Sequence, residues 1–404
     1  MSVWRDVARK YGFVEYDGPP LEPLDLYTRK SGDEIVGQLY TFTDKGGREV
    51  ALRPEMTPTL ARMVAAKANA LRKPIRWFSV PQLFRYERQQ KGRLREHFQL
   101  NVDIVGEASV AADAELLAVA IDVMRAVGLT SQDVRARVSD RQLLTAVLSE
   151  VGVKKAEMPA VFAAIDKTGR EPREVTLGKV EKAVASKEAR TGVSRILASS
   201  ADLNALAAEF RHSPNVMETV THMREYLNFL DALGVGDWID FDLSIVRGLA
   251  YYTGKVFELF DAKGEFRAIC GGGRYDDLLS TIGGVDLPAL GFWMGDVVLT
   301  ELLRSRDLLP TPVLGTEYWV AADDESMLPD VMTVAGRLRA KSRSVEYALK
   351  SQTLARQLKT ASSAGVRNVV LLRRDDYANG KVTVKTLADG SERSVALDTF
   401  LNSL

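Results

Sequence analysis

Between Phe84 and Glu96 the chain reads FRYERQQKGRLRE, with five cations in the eleven residues from Arg85 to Arg95. Arginines gathered at the mouth of a hairpin can clamp phosphates, because a planar guanidinium offers paired hydrogen bonds. A segment of this composition can equally be a solvated charged turn. The strand that follows argues for a site. His97, Gln99, Asn101 and Asp103 alternate with Phe98, Leu100, Val102 and Ile104, so one face is polar and the other apolar. The apolar face packs on a core. The polar face is either wet or lines a site, and phosphate clamps beside an amide and a carboxylate suit a nucleotide with a small polar ligand.

Two later segments point the same way. RGLAYYTG, from Arg247 to Gly254, sets an arginine beside two aromatic hydroxyls, and GGGRY, from Gly271 to Tyr275, lets backbone come close to a ligand. A triple glycine more often marks a bulge or turn, and no Gly-Lys-Ser/Thr follows to make a phosphate loop. Structural roles stand beside each functional one. Tyr251 and Tyr252 can be plain strand aromatics, and Arg247 can pair with Asp240 or Asp242. Asp103 can cap or bridge a neighbouring strand, Glu55 can be a surface charge after Pro54, and Cys270 reads as a small buried residue, not a nucleophile.

The elements that must hold these residues follow from local pattern. A helix reaches about Tyr11, and Asp44-Lys45-Gly46-Gly47 is a hairpin turn. Thr57 suits a helix N-cap, with Pro58 at the first helical position. Residues 75–105 read as two long strands around the cationic loop, and 113–127 as an amphipathic helix. A mostly helical insertion is expected at about 151–213. Strands return at 239–246, 255–260 and 266–270, and a helix occupies 296–304. After a linker at 307–312, strands at 318–322, 345–349 and 369–373 alternate with helices at 327–341 and 354–363. That alternation implies a small α/β domain with a largely parallel sheet.

Composition sets the bounds. At roughly 150 residues per domain, 404 residues make two or three domains. No run of about 18 apolar residues is present to span a bilayer, and the charged start MSVWRDVARK lacks a signal peptide's apolar core. These features imply a cytoplasmic protein with no membrane association. One cysteine excludes an internal disulfide, and three scattered histidines argue against a structural zinc, so no resident metal is expected. Lys and Arg balance Asp and Glu at 54 each, so any RNA partner must be met by local patches. One such bias comprises Arg337, Arg339, Lys341, Arg343, Lys350, Arg356 and Lys359.

FRYERQQKGRLREHFQ, with RGLAYYTGKVFE and CGGGRYDDLL downstream, resembles the histidyl-tRNA synthetase family. GFVEYDGPPLE is similar to the family's motif 1, LRPEMTP to an amino-acid-binding segment, and PALGFWMGDVVL to motif 3. ANGKVTVKTLADG is similar to the end of its anticodon-binding domain. The ordered matches cover nearly the whole chain and look closest to the branch with plant organellar enzymes. The resemblance implies an α+β fold: a class II catalytic domain over 1–306, with an antiparallel sheet, flanking helices and the insertion, then an anticodon-binding-like domain over 314–404. It implies a histidine–tRNA ligase using ATP and Mg²⁺, with L-histidine and tRNA-His as partners, working as a homodimer. By residue, it implies ATP contacts at Arg85, Glu87, Arg93 and Arg247, with Arg85 and Arg247 at the α-phosphate and catalytic. It implies histidine contacts at Glu55, Thr57, Gln99, Asp103, Tyr251, Tyr252 and Tyr275.

The departures are specific. Asp103 stands where the family usually has Glu, one methylene shorter. Val298 stands at the motif 3 arginine that meets the γ-phosphate, Val297 replaces a usual Glu, and Ala250 replaces a common acidic residue. The chain begins near motif 1, without the Arg-Gly-rich opening expected to add to a dimer interface. A lost phosphate arginine also suits a non-catalytic histidine-binding paralogue, such as the regulatory subunit of ATP phosphoribosyltransferase. That subunit lacks the anticodon-binding domain.

Overall fold

The period-two polarity of residues 96–105 places them at the middle of a sheet. The computed structural model describes residues 1–28, 36–87, 94–168, 171–247, 251–310 and 316–404. They divide into two compact units, Met1–Leu309 and Pro310–Leu404.

In the first unit the strands are β1 (Val14–Glu15), β2 (Leu21–Pro23), β3 (Thr41–Thr43), β4 (Glu49–Leu52), β5 (Ile75–Ser79), β6 (Gln82–Phe84), β7 (Glu96–Val105), β8 (Val134–Asp140), β9 (Ile239–Phe241), β10 (Lys255–Asp261), β11 (Cys270–Arg274) and β12 (Ala289–Gly295). Nine of them form one sheet in the order β1-β5-β7-β12-β11-β10-β8-β9, with β6 also paired to β7. The pairs β1–β5 and β8–β9 are parallel and the others antiparallel. The strands β2-β4-β3 make a small separate sheet. Its hairpin is closed by Asp44, whose carboxylate accepts from the Gly46 and Arg48 amides at 2.8 and 2.9 Å.

One face of the large sheet is apolar because register aligns like with like. Phe78, Leu100, Val102, Ile104, Leu290, Phe292, Met294, Phe257, Leu259, Ala136 and Val138 are all buried in the main core. The helix Val110–Ala126 shares that core. Its residues Leu116–Ile121 are buried without interruption, so it is enclosed on nearly every side and not amphipathic as expected. Its one buried charge in the first turn, Asp113, accepts from Arg274 at 3.0 Å.

Three local expectations change. The first long strand is interrupted at Pro81, which has no N–H for the ladder; its carbonyl accepts from the Gln99 amide at 3.2 Å. The helix Thr57–Lys67 is preceded by Met56 at the N-cap, so Thr57 is already helical and Pro58 lies in the first turn. Gly271–Gly273 are strand residues of β11 and no turn.

Between β8 and β9 the chain is helical: Arg141–Glu150, Met158–Ile165, Arg173–Ala183, Lys187–Ala198, Leu203–Glu209 and Pro214–Ala232. Asp140, Ser186, Asp202 and Ser213 cap four of these by accepting from first-turn amides. The helices therefore extend on both sides of the 151–213 stretch.

The second unit has five strands, β13 (Tyr318–Ala322), β14 (Val345–Tyr347), β15 (Asn368–Leu372), β16 (Lys381–Thr386) and β17 (Glu392–Ala396), in the order β14-β13-β15-β16-β17. The first three run parallel. The last two are antiparallel additions, so the sheet is mixed. Arg337 pairs with Asp398, Arg343 with Glu317, and Arg339 donates to the Val345 carbonyl. Lys341, Lys350, Arg356 and Lys359 are exposed.

Candidate active site

The other face of the sheet is polar and glycine-rich. Cross-strand register aligns Asp103 with Gly291 and Gly291 with Gly273. Asn101 aligns with Trp293, Trp293 with Gly271, and Gly271 with Glu258, while Gln99 opposes Gly295. Gly271, Gly273, Gly291 and Gly295 thus make a floor with no side chains of its own.

Other residues take up that space. A Cβ on Gly271 would lie 1.4 Å from Nη1 of Arg247. One on Gly291 would lie 2.0 Å from Oδ1 of Asp103 and 3.0 Å from the Tyr275 hydroxyl. One on Gly273 would lie 2.5 Å from the Lys255 carbonyl and 3.0 Å from the Tyr252 ring. Gly271 and Gly273 are therefore required by close approach on this face, while a Cβ on Gly272 would meet Phe292 and the Gly291 carbonyl on the other.

Arg247 lies in that space, buried, with its backbone in the left-handed region at φ 58°. Its Nη1 donates to Glu258 at 3.0 Å. Its guanidinium lies over the rings of Trp293 and Tyr252, at 5.2 and 5.5 Å from the centroids. Its Nε has no hydrogen-bond partner among the described residues. The partner of Arg247 is thus Glu258, and Asp240 is held by Arg135 instead. Glu258 has a sequence signal: it falls on the same alternate positions of β10 as Val256, facing Gly271 and Gly273.

Tyr251, Tyr252 and Tyr275 form one aromatic group, with centroid separations of 4.8, 5.7 and 6.5 Å. Burial raises the phenols of Tyr251 and Tyr275 well above their ordinary range and that of Tyr252 upward as well, so all three are neutral donors. Glu55 is buried close enough to raise Tyr251 and Tyr252 further. Tyr275 donates to Asp103, which is buried mid-strand facing it. Gln99 is buried on the same face, and its carbonyl accepts from Asn101 at 3.2 Å. Thr57 is half-buried at the start of its helix.

Arg85 is half-buried and donates through Nε to the Pro54 carbonyl at 2.9 Å, tying it to the residue before Glu55. It also helps to hold His97 neutral: burial first, then the Arg85 charge, lowers that imidazole to about 4. Glu87 is half-buried, and its carbonyl accepts from Arg95 at 3.3 Å. Arg93 lies outside the described residues, with the rest of 88–93. Val298 is half-buried and packed against the main core.

Burial raises the Asp103 carboxyl to about 7, against the lowering effect of the Tyr275 hydroxyl. An unfolded aspartate titrates near ~4, so between these values the folded chain holds a proton that the unfolded chain has lost. The contribution of Asp103 to stability is complete below about pH 4 and is lost as pH rises through about 7. Asp103→Asn, which cannot ionise, should gain stability relative to the parent by up to about 4 kcal/mol between pH 4 and pH 8. Chemical denaturation of both proteins across that range measures it. Parallel pH curves would show that Asp103 is ionised throughout.

A buried polar strand face holding an arginine and three tyrosines, on a largely antiparallel sheet with helices behind it, defines an enzyme of the class II synthetase architecture. The model of the family described as histidyl-tRNA synthetase matches residues 2–295, and that of the anticodon binding domain matches 314–404. The chain belongs to the histidyl-tRNA synthetase family. It is 43% identical to a histidine–tRNA ligase of Opitutus terrae, covering 97% of this chain and 90% of that one. It is 41% identical to the chloroplastic/mitochondrial histidine–tRNA ligase of Arabidopsis thaliana, covering 98% and 80% respectively. The crystal structure of a Nostoc histidyl-tRNA synthetase has the same fold, with a TM-score of 0.83 at 24% identity, covering 100% of this chain and 94% of that one.

Proposed function

We propose that this chain is a histidine–tRNA ligase that joins L-histidine to ATP as histidyl-adenylate and passes the histidyl group to tRNA-His. Family membership over both units supports the activity. The observation that carries the site assignment is the single polar face holding Asp103, Tyr275 and Arg247 above a glycine floor. In the first step a histidine carboxylate oxygen attacks the α-phosphorus and the bond to pyrophosphate breaks. In the second, a terminal ribose hydroxyl of the tRNA attacks the activated carbonyl and AMP leaves.

The residue roles are those the family resemblance implies, and their chemistry is consistent with them. Arg247 and Arg85 place fixed positive charge at the α-phosphate, where charge accumulates on the oxygens during attack. Glu87 and Arg93 complete the ATP contacts. Glu55 and Thr57 hold the histidine α-amino group, while Gln99, Asp103, Tyr251, Tyr252 and Tyr275 surround the imidazole. With Val298 unable to donate a hydrogen bond, the distal phosphates fall to Arg93 and Arg95, to Mg²⁺ and to the N-terminal end of the helix beginning near Asp296, although Asp296 itself opposes an anion there. Among the described residues no three His, Cys, Asp or Glu side chains converge as a metal cage. Mg²⁺ bound through nucleotide phosphates and water requires none. When bound, Mg²⁺ offsets phosphate charge.

Catalysis is assigned to 1–306, including the helical insertion at about 151–213, and tRNA reading to 314–404. Exposed Lys341, Lys350, Arg356 and Lys359 supply phosphate contacts there. A cytoplasmic homodimer completes the reading; among the described residues no helix is long and apolar enough to cross a membrane.

The decisive test is histidine-dependent exchange of pyrophosphate into ATP. A folded protein that binds histidine without exchange would favour the regulatory paralogue. Two variants examine the parts. Asp103→Ala should weaken histidine by about 1–3 kcal/mol while ATP affinity holds, because a buried donor on the ligand loses its acceptor; equal losses for both ligands would remove Asp103 from the histidine site. A chain ending at Pro310 should exchange pyrophosphate at nearly the full rate but charge tRNA poorly. Undiminished charging by that truncated protein would refute the division of labour.

A further inference from the structure

Arg141 is the first residue of the helix Arg141–Glu150, directly after β8. Its Nη1 donates to the carbonyls of both Val246 and Arg247, at 3.2 and 3.3 Å. Its amide donates to the Gly254 carbonyl at 3.0 Å, so the two ends of the 247–254 segment meet at this one residue. The same guanidinium lies over the ring of Phe162, 4.8 Å from its centroid. Phe162 belongs to the helix Met158–Ile165, within the helical stretch between β8 and β9. A second tie runs in parallel: the Leu243 amide donates to the Ser200 carbonyl at 2.8 Å.

These contacts meet where the backbone is least able to hold itself. Arg247 has a positive φ, which an L-residue keeps only when its surroundings impose it. The direction of its Cα–Cβ bond, and hence the reach of its guanidinium, depends on that backbone. Glu258 holds the side chain and Arg141 holds the carbonyl. Arg141 has no described contact with Asp103 or Tyr275, and among the histidine-facing groups its charge interacts with Tyr252 alone in the described contacts.

We propose that Arg141 is a positioning residue that couples the helical insertion, through Phe162, to the orientation of Arg247. The proposal rests on the role of Arg247 at the α-phosphate given above. Shifting the helix that carries Phe162 would move the guanidinium that clamps the Arg247 carbonyl. Adenylate formation would therefore respond to the state of the insertion, with histidine affinity left alone.

Single-turnover adenylate formation with histidine, ATP and Mg²⁺ tests this in Arg141→Ala, Arg247→Ala and the double variant of the full chain. Arg141→Ala should slow the step by about tenfold with the histidine KM changed by less than about twofold. In the Arg247→Ala background it should add no further loss, since a residue acting through another has nothing left to act on. Phe162→Ala should reproduce part of the loss, and not additively with Arg141→Ala. If Arg141→Ala does not fold, Arg141→Lys serves, because an ammonium retains the charge but cannot span both carbonyls while stacking on the ring. Full activity in a folded Arg141 variant, a loss that adds to that of Arg247→Ala, or an unaffected Phe162→Ala would overturn the coupling alone. An unaffected Arg247→Ala would overturn the α-phosphate assignment and the coupling together.

Discussion

Arg247→Ala should lower the rate of adenylate formation by about 10²–10³, with histidine affinity nearly unchanged. The guanidinium is buried against two aromatic rings and oriented by Glu258, so it reaches the reaction already desolvated and aimed. Its charge is used most when negative charge spreads over the α-phosphate. The same substitution takes a cation away from buried Glu258 and should cost about 3–5 kcal/mol of stability. Arg247→Lys separates the two effects: it keeps a charge near Glu258 and preserves more of the stability, but loses the planar stack and the fork. Pyrophosphate exchange beside thermal unfolding measures both. A stable Arg247→Lys protein exchanging at the parental rate would mean that the guanidinium does not contribute to the step.

Gly271→Ala should damage the enzyme nearly as much as Arg247→Ala without removing any polar group. The added Cβ would fall 1.4 Å from Nη1 and 2.3 Å from Cζ of Arg247. That is deep inside van der Waals contact, so the guanidinium must leave its position and give up Glu258 and Trp293. The strand can accept an alanine backbone, so the loss should appear in exchange activity more than in folding. Gly178→Ala is the matched control. It lies inside the helix Arg173–Ala183 with nothing within 4 Å of the new Cβ, and should stabilise that helix by about 1 kcal/mol at parental activity. If Gly271→Ala remained fully active, the floor would not be what holds Arg247 in place.

These two substitutions also separate what one-dimensional pattern carries from what it cannot. The alternation along 96–105 identified a polar strand face, because side-chain direction in a strand repeats every two residues. That the face is buried over Gln99, Asn101 and Asp103 depends on the tyrosines and Arg247 that cover it. The terminal α/β alternation was legible through its parallel strands, while the antiparallel pair Lys381–Thr386 and Glu392–Ala396 was not read from it. Glu392–Ala396 is exposed and polar at the edge and gives little periodic signal, whereas Lys381–Thr386 buries Val382 and Val384 in the core and its alternation is present in the residues. The break at Pro81 was available from covalent chemistry alone, since proline has no amide hydrogen.

By itself, then, the sequence determined the family through ordered motifs, the polar strand face through its period, and most elements through local spacing. What only the tertiary structure decided is who meets whom. Arg247 could pair with Asp240 or Asp242 by proximity in the chain, yet it pairs with Glu258, while Arg135 holds Asp240 and Asp242 accepts from Ser244. Asp103 meets Tyr275 across 172 positions of chain, and Gly271 and Gly273 form a floor because Arg247 and Tyr252 press on them. Arg141 gave no signal at all, as its role depends on carbonyls more than a hundred residues away. Local rules act over a few residues, whereas strand register sets these contacts, and register is settled by the burial of the opposite, apolar face.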